Sequence, residues 1–577
     1  MKLRFRALCF LCVLCVFVVN CFALDREAFT FTSYNLAVRI DPGQQRLGVR
    51  GKITLRNDSA APQRIAALQI SSSLNWLSIT APGKPLQFVS HPYSSDIDHT
   101  GVLSEATVTL PSAVLPKGTI DLDVSYEGVI PLDATRFTRM DTPDAAARSA
   151  DWDRIGAQYT AIRGVGYVTW YPIATDAASL AEGSDLFVVL RRWKQRESSS
   201  TMHLRLAVST ASKGEPPELL VNASICPLAH EADGQFLADC NYRSLGSLVP
   251  TFVIANFESI ERPNVAVHFL RGHDSSAGSY ADAAEKVVPL ITEWFGALRA
   301  KAETVDLPDA DSAPFESGSL LLTPLTSNDS KLAGLAAAHQ LTHAAFSSSR
   351  PWINEGLALF AQALYLERQK GRQAALDYME THRFAFSADV GEKQKTAPRS
   401  EDEANNSLIN AADEQLYRSK AMCVWWMLRE MVGDQAMKKA LASYRAEHDK
   451  EPSYMQGLIQ AETQHDLEWF FDDWVYRDRG LPDFKVVSAF TRKMLPEGYM
   501  VTITVANLGA AGAEVPIIVK SGADAVTKRL VVRGKSSAVI RVETLKSPDE
   551  VVVNDGSVPE SDASNNTFKV DPSAIAK

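Results

Sequence analysis

The spacing of apolar residues changes twice along the chain, and that change limits the folds open to it. From Phe29 to about Ser259 the period is two. Tyr34, Leu36, Val38 and Ile40 alternate with other residues, Asp41-Pro42-Gly43 signals a turn, and Leu47, Val49, Ile53 and Leu55 resume the alternation. Further short strands are expected at Leu122–Val124, Leu186–Leu190, Leu204–Val208 and Phe252–Ala255. Near Gly278 the period becomes helical. Ala281–Ala300 reads as an amphipathic helix, followed by Lys331–Phe346, Asn354–Gln369, Gln415–Val432, Asp434–Arg445, Ser453–Ala461 and Leu467–Tyr476. The polar stretch Ser387–Asn410 reads as a loop. After Arg479-Gly480-Leu481-Pro482 the period returns to two, between glycine-rich turns. The expectation is a multidomain α+β chain. An all-β sandwich or saddle domain over 28–260 is followed by a mostly helical domain over 265–484 and an Ig-like β-sandwich over 486–577.

A chain of 577 residues is too long for a single core. Its net charge of −10 argues against a nucleic-acid-binding surface. The one basic run, Arg191-Arg192-Trp193-Lys194-Gln195-Arg196, reads as the solvated end of a strand. Lys2, Arg4 and Arg6 precede an apolar run from Ala7 to Val19, and Cys21-Phe22-Ala23 offers a small-residue cleavage point, so residues 1–23 read as a signal peptide. A lipid anchor at Cys21 is disfavoured by Asn20, and no later stretch is long and apolar enough for a membrane helix. The mature protein is therefore expected outside the cytosol, secreted or periplasmic. There Cys226 and Cys240 could close a short disulfide loop, while Cys423, among Met422, Val424 and Trp425, reads as a core thiol.

One stretch carries chemistry. In HQLTHAAFSSSRPWINEGLALF, His339 and His343 stand four apart, which places both imidazoles on one helix face. Zinc takes imidazole and carboxylate ligands in a tetrahedral array, with a corner left open in catalytic sites. Glu355, at the start of the next expected helix, could complete the set, because Ser347-Ser348-Ser349-Arg350-Pro351 can reverse the chain. By itself an HxxxH pair on an alanine-rich helix is also what a satisfied core pair looks like.

The surroundings of that pair resemble a known family. PWINEGLALFAQALYLE is similar to the second half of the zinc site in the membrane alanyl aminopeptidase family, a branch of the gluzincins. There HExxH is followed by a glutamate in a W-x-NEG-x-A setting, reproduced here by Trp352, Asn354, Glu355, Gly356 and Ala358. YRSKAMCVWWMLREMVGDQAMKKALASYRA resembles the family's Y-E-K-G stretch and puts its catalytic tyrosine at Tyr417. DLEWFFDDWVYRDRGLPDFKV resembles its closing segment. Upstream, PFESGSLL is a degenerate version of the GxMEN motif, whose glutamate holds a substrate's free amino group and which falls here on Glu316. GVGYVTWYP resembles part of the family's opening domain. The likeness spans roughly residues 28 to 485, and the final sandwich stands where many members carry helical repeats.

The resemblance implies a central gluzincin, thermolysin-like fold and one zinc per chain, held by His339, His343 and Glu355. It implies peptides or polypeptide N-termini as substrates. Three departures bear on activity. Gln340 stands where the family keeps its glutamate base, and an amide cannot accept a proton. Losing such a base typically costs roughly 10²–10⁴-fold. Only eleven residues separate His343 from Glu355, fewer than in the family, and the amino-anchoring motif is degraded. Two readings follow: an aminopeptidase-type zinc metallopeptidase with weak or lost turnover, or a pseudopeptidase that binds peptides or a partner. A third makes the terminal sandwiches the working part and the helical middle a scaffold.

Overall fold

The computed structural model describes residues 24–181, 185–209, 217–223, 226, 228–230, 235–393, 407–411 and 415–571. The expected signal peptide, and residues 394–406 of the expected loop, lie outside this set.

The N-terminal region is built as its period-two pattern requires. Phe29–Asp41 and Arg46–Asn57 form a hairpin in the register Ile40↔Leu47, with Tyr34, Leu36, Val38 and Ile40 on the buried face. They sit within an eight-stranded sheet. Thr201–Ser209 pairs in parallel with Phe29–Asp41. A three-stranded sheet of Gln63–Ser71, Val102–Val114 and Phe88–Ser94 adds a second layer. A disulfide joins Cys226 to Cys240.

One expected strand is a helix. Leu186–Leu190 and the basic run beside it lie in α1 (Asp185–Glu197). The reason is periodicity: Leu186, Val189, Trp193 and Glu197 are the buried positions, spaced three and four apart. The basic run is therefore not a solvated strand end. Trp193 faces the core, and Arg191, Lys194, Gln195 and Arg196 are half-buried.

The central region opens on a mixed five-stranded sheet. Val265–Phe269, Ala302–Asp306 and Leu320–Thr323 run in parallel, and Phe315–Ser317 closes one edge antiparallel to Leu320–Thr323. Helix α2 (Asp274–Phe295) packs beside this sheet, followed by α3 (Ser330–Ala345), α4 (Pro351–Lys370) and α5 (Arg372–Lys393). Helix α5 runs seven residues into the stretch expected to be loop. A single π-helical turn, Gln415–Lys420, leads into α6 (Ala421–Val432).

The C-terminal region comprises a three-stranded and a four-stranded antiparallel sheet. Val501, Ile503 and Val505 of one and Val515, Ile517 and Val519 of the other are fully buried. They belong to the same apolar core as the central helices. Trp474 Nε1 donates to Gly512 O at 2.7 Å, and Gly512 N donates to Asp473 Oδ2 at 2.9 Å, fixing this junction. Among the described residues no helix is long and apolar enough to cross a membrane.

Candidate metal centre

The centre is made by two helices and a sheet edge. Helix α3 is capped by Asp329, whose side chain accepts from Lys331 N, and it ends at Phe346. Its last two turns carry His339, Gln340 and His343. The chain then reverses, and Pro351 opens α4, where its missing N–H costs nothing. Helix α4 approaches α6 closely at Gly356, where a Cβ would lie 2.6 Å from Ala421 Cβ. That glycine lets α4 present Glu355 toward the histidines.

The imidazoles converge. His343 Nε2 lies 3.3 Å from His339 Nε2. Glu355 reaches both: Oε1 is 3.5 Å from His343 Nε2 and Oε2 is 3.7 Å from His339 Nε2. Four ligands set tetrahedrally about 2.1 Å from a zinc ion stand about 3.4 Å from one another. The two imidazole nitrogens of this chain have that spacing, and Glu355 meets each of them with a different oxygen. Glu316, on the edge strand Phe315–Ser317, brings a carboxylate oxygen within 4.8 Å of both histidine donors, so Glu316, His339 and His343 also form a group that could hold a metal.

His343 is held through its other ring nitrogen. Asn354 Oδ1 accepts from Ser348 N at 3.0 Å, which turns the Asn354 Nδ2 toward His343 Nδ1, 3.1 Å away.

Electrostatics agree with a cation site. Burial, then the neighbouring His343, pull His339 down to about 3, the neutral form a metal requires. Burial opposes the charge on Glu355, yet His343, Arg418 and His339 together hold it at about 2, ionised. Burial pushes the Glu316 carboxyl up, against the pull of His343.

Gln340 is fully committed. Its Oε1 accepts from Tyr280 OH at 2.7 Å, and its Nε2 donates to Glu316 Oε1 at 3.3 Å. Glu316 is placed from the other side by the N-terminal region. Phe315 packs edge-on against Tyr167 at 5.3 Å, and Ser317 Oγ accepts from Asn222 Nδ2 at 2.8 Å and Val249 N at 3.0 Å.

His339, Gln340, His343, Glu355 and Glu316 therefore meet at one point. Tyr417 lies in the π-helical turn, its ring 5.5 Å from Phe187 of α1. The next residue, Arg418, donates from Nε to Glu355 Oε2 at 3.0 Å. Sequence reasoning passed over Arg418, Asn354 and Tyr280. Asn354, beside Glu355 in the NEG motif, had a signal in its position; Tyr280, 60 residues before Gln340, had none.

Residues 338–474 match the family described as "Peptidase family M1 domain". The chain carries a peptidase family M1 domain. The M1 match contains both histidines, Gln340, Glu355 and Tyr417, but not Glu316. Two solved structures are similar in fold to most of the chain: the M1 zinc metallopeptidase from Deinococcus radiodurans, and a mutant of it bound to a Tyr-Ser-Ala substrate. The first is 16% identical and the second 17%; each has a TM-score of 0.50 and aligns over 79% of this chain and 96% of its own. No curated protein matches the chain.

Proposed function

We propose that the M1 domain holds one zinc ion through His339, His343 and Glu355 and receives the N-terminus of a peptide, with hydrolysis weak or lost. The observation that carries this reading is the convergence of the two imidazole nitrogens, 3.3 Å apart, on the Glu355 carboxylate, whose Oε1 and Oε2 lie 3.5 and 3.7 Å from one imidazole each. When bound, zinc would supply Lewis acidity to a scissile carbonyl. The remaining roles fall to the chain itself. Glu316, held at the sheet edge, meets a free amino group. The Tyr417 hydroxyl donates to the developing oxyanion. Gln340 can orient a water molecule but takes no proton from it.

A pseudopeptidase reading has its own support in Gln340. Both ends of its amide are bonded to the protein, to Tyr280 and to Glu316. The side chain that ought to move a proton instead fixes the residue that meets the substrate. Gln340→Glu separates the two readings. As a peptidase with its base missing, the protein should gain roughly 10²–10⁴-fold in aminopeptidase turnover on a small peptide panel. If the variant retains zinc and binds peptides but cleaves none, the site is a binding module. If neither form takes up zinc in equilibrium dialysis, both readings fail.

A further inference from the structure

We propose that the chain carries a chloride-binding site between α1 and the start of α4, separate from the metal centre. A small cavity there is lined by Phe187 and Arg191 of α1, by Arg350 and Pro351, and by Ile409 and Asn410. Its free space, about 10 Å³, is that of one water-sized particle.

The charge around it does not balance. Arg350 is 2% exposed. Its Nε donates to Asp449 Oδ1 at 2.7 Å, but its buried Nη2 has no hydrogen-bond partner among the described residues. Asp449 Oδ2 accepts from Tyr444 OH at 2.8 Å. Arg191 is half-buried beside the same cavity. Two guanidiniums, Arg191 and Arg350, thus stand beside the cavity with one carboxylate, Asp449, while Arg192 pairs with Glu27 and Asp176. A buried guanidinium N–H left unpaired is costly, and a second buried positive charge raises the cost. The cavity also lies at the N-terminus of the twenty-residue helix α4, whose dipole favours an anion. A monatomic anion suits both the charge and the space.

The site joins two regions. Phe187, which lines it, also packs on Tyr417, and Arg350 stands five residues before Glu355. Bound chloride would tie the N-terminal region to the first turn of the helix that presents Glu355. The inference does not rest on the peptidase reading, because no metal ligand contributes to the site.

The test is ³⁵Cl NMR line broadening on the full chain, stripped of metal by a chelator and titrated with chloride. Wild type should show saturable broadening that bromide displaces and gluconate does not. Arg191→Gln should weaken the apparent affinity by about tenfold or more, and Arg191→Lys should recover part of it. No saturable broadening in wild type, or wild-type affinity in Arg191→Gln, would overturn the proposal. Should Arg191→Gln prove misfolded by near-ultraviolet circular dichroism, bromide-soaked crystals of wild type decide. An anomalous peak at Arg350 supports the site, and its absence overturns it.

Discussion

Two buried charged clusters in this molecule are assembled on opposite principles. In the N-terminal region, Arg163 and Asp153 form a closed pair. Arg163 Nη2 and Nε both donate to Asp153 Oδ2, at 2.6 and 3.0 Å, and Arg163 N donates to Asp153 Oδ1 at 2.6 Å. The guanidinium is sandwiched between Trp152 and Tyr167, 3.9 and 3.6 Å from their ring centres. Arg136 and Asp151 repeat the arrangement nearby, with two bonds of 2.8 and 2.7 Å. In the candidate metal centre two imidazole nitrogens, 3.3 Å apart, and two carboxylates converge. The first cluster satisfies itself and has nothing left to offer a ligand. The second crowds lone pairs together, with Arg418 donating to one carboxylate and Gln340 to the other, and leaves a place a cation would fill. Burial alone does not mark a functional site; an unsatisfied arrangement of donors does.

The sharpest way to break this contrast is to make the first cluster resemble the second. Asp153→Ala leaves the Arg163 guanidinium buried without its carboxylate. Removing one partner of a buried pair costs about 3–5 kcal/mol, so the N-terminal region should unfold at markedly lower denaturant while zinc uptake by the folded protein is unchanged. The converse change, His339→Ala, removes one of the crowding donors. It should abolish zinc binding in dialysis yet leave the metal-free protein about as stable as before. Only the metal-dependent increment should vanish, about 2.7 kcal/mol at a zinc concentration of 100 times Kd. A large loss of metal-free stability in His339→Ala would mean that the histidines are core residues after all.

A smaller effect tests how the centre is held. Gly356→Ala places a Cβ 2.6 Å from Ala421 Cβ and 3.0 Å from Trp425 Nε1. Overpacking of this kind typically costs about 1–3 kcal/mol. Because α4 must move away from α6, Glu355 moves with it, and zinc affinity should fall together with stability. A stable Gly356→Ala protein with wild-type zinc affinity would show that the close helix approach does not position the carboxylate.

The metal centre was legible where its logic is local. His339 and His343 declare a helix face by their spacing, and Trp352-Ile353-Asn354-Glu355-Gly356 declares the partner helix by its neighbours. What was not legible depends on approach in space. Arg418 reaches Glu355 only because the π-helical turn rotates it into the cleft. Tyr280 meets Gln340 across two packed helices. The misreading of Leu186–Leu190 as a strand has a different origin. Five apolar-rich residues fit either period, and the burial of Trp193 and Glu197 one and two turns further on, which settles the matter, lies among charges that read as solvent-facing. The two β regions were clearer, because alternation over nine or more residues, as in Tyr499–Asn507, fits no helix.

His268 gives the gentlest test, because pH alone moves it from one kind of cluster to the other. It bridges the two regions, with Nδ1 3.1 Å from Glu218 Oε2 and Nε2 2.8 Å from Glu303 Oε2. Burial pulls its pKa down, but the two carboxylates override that and raise it to about 9. Because the folded value lies above the unfolded value of about 6.5, the folded state holds the proton more tightly. The contribution to stability is therefore complete below about pH 6.5 and is lost as pH rises through 9. Below that window the imidazolium is saturated by two carboxylates, as Arg163 is by Asp153. Above it, two carboxylates face a neutral ring and the cluster becomes unsatisfied, as the metal centre is. Unfolding of wild type between pH 6.5 and 9 should show a decline that His268→Gln flattens, with the variant less stable at the acid end. Parallel curves for the two proteins across that range would show that this imidazole carries no charge-linked stability and that the contrast stops at the two larger clusters.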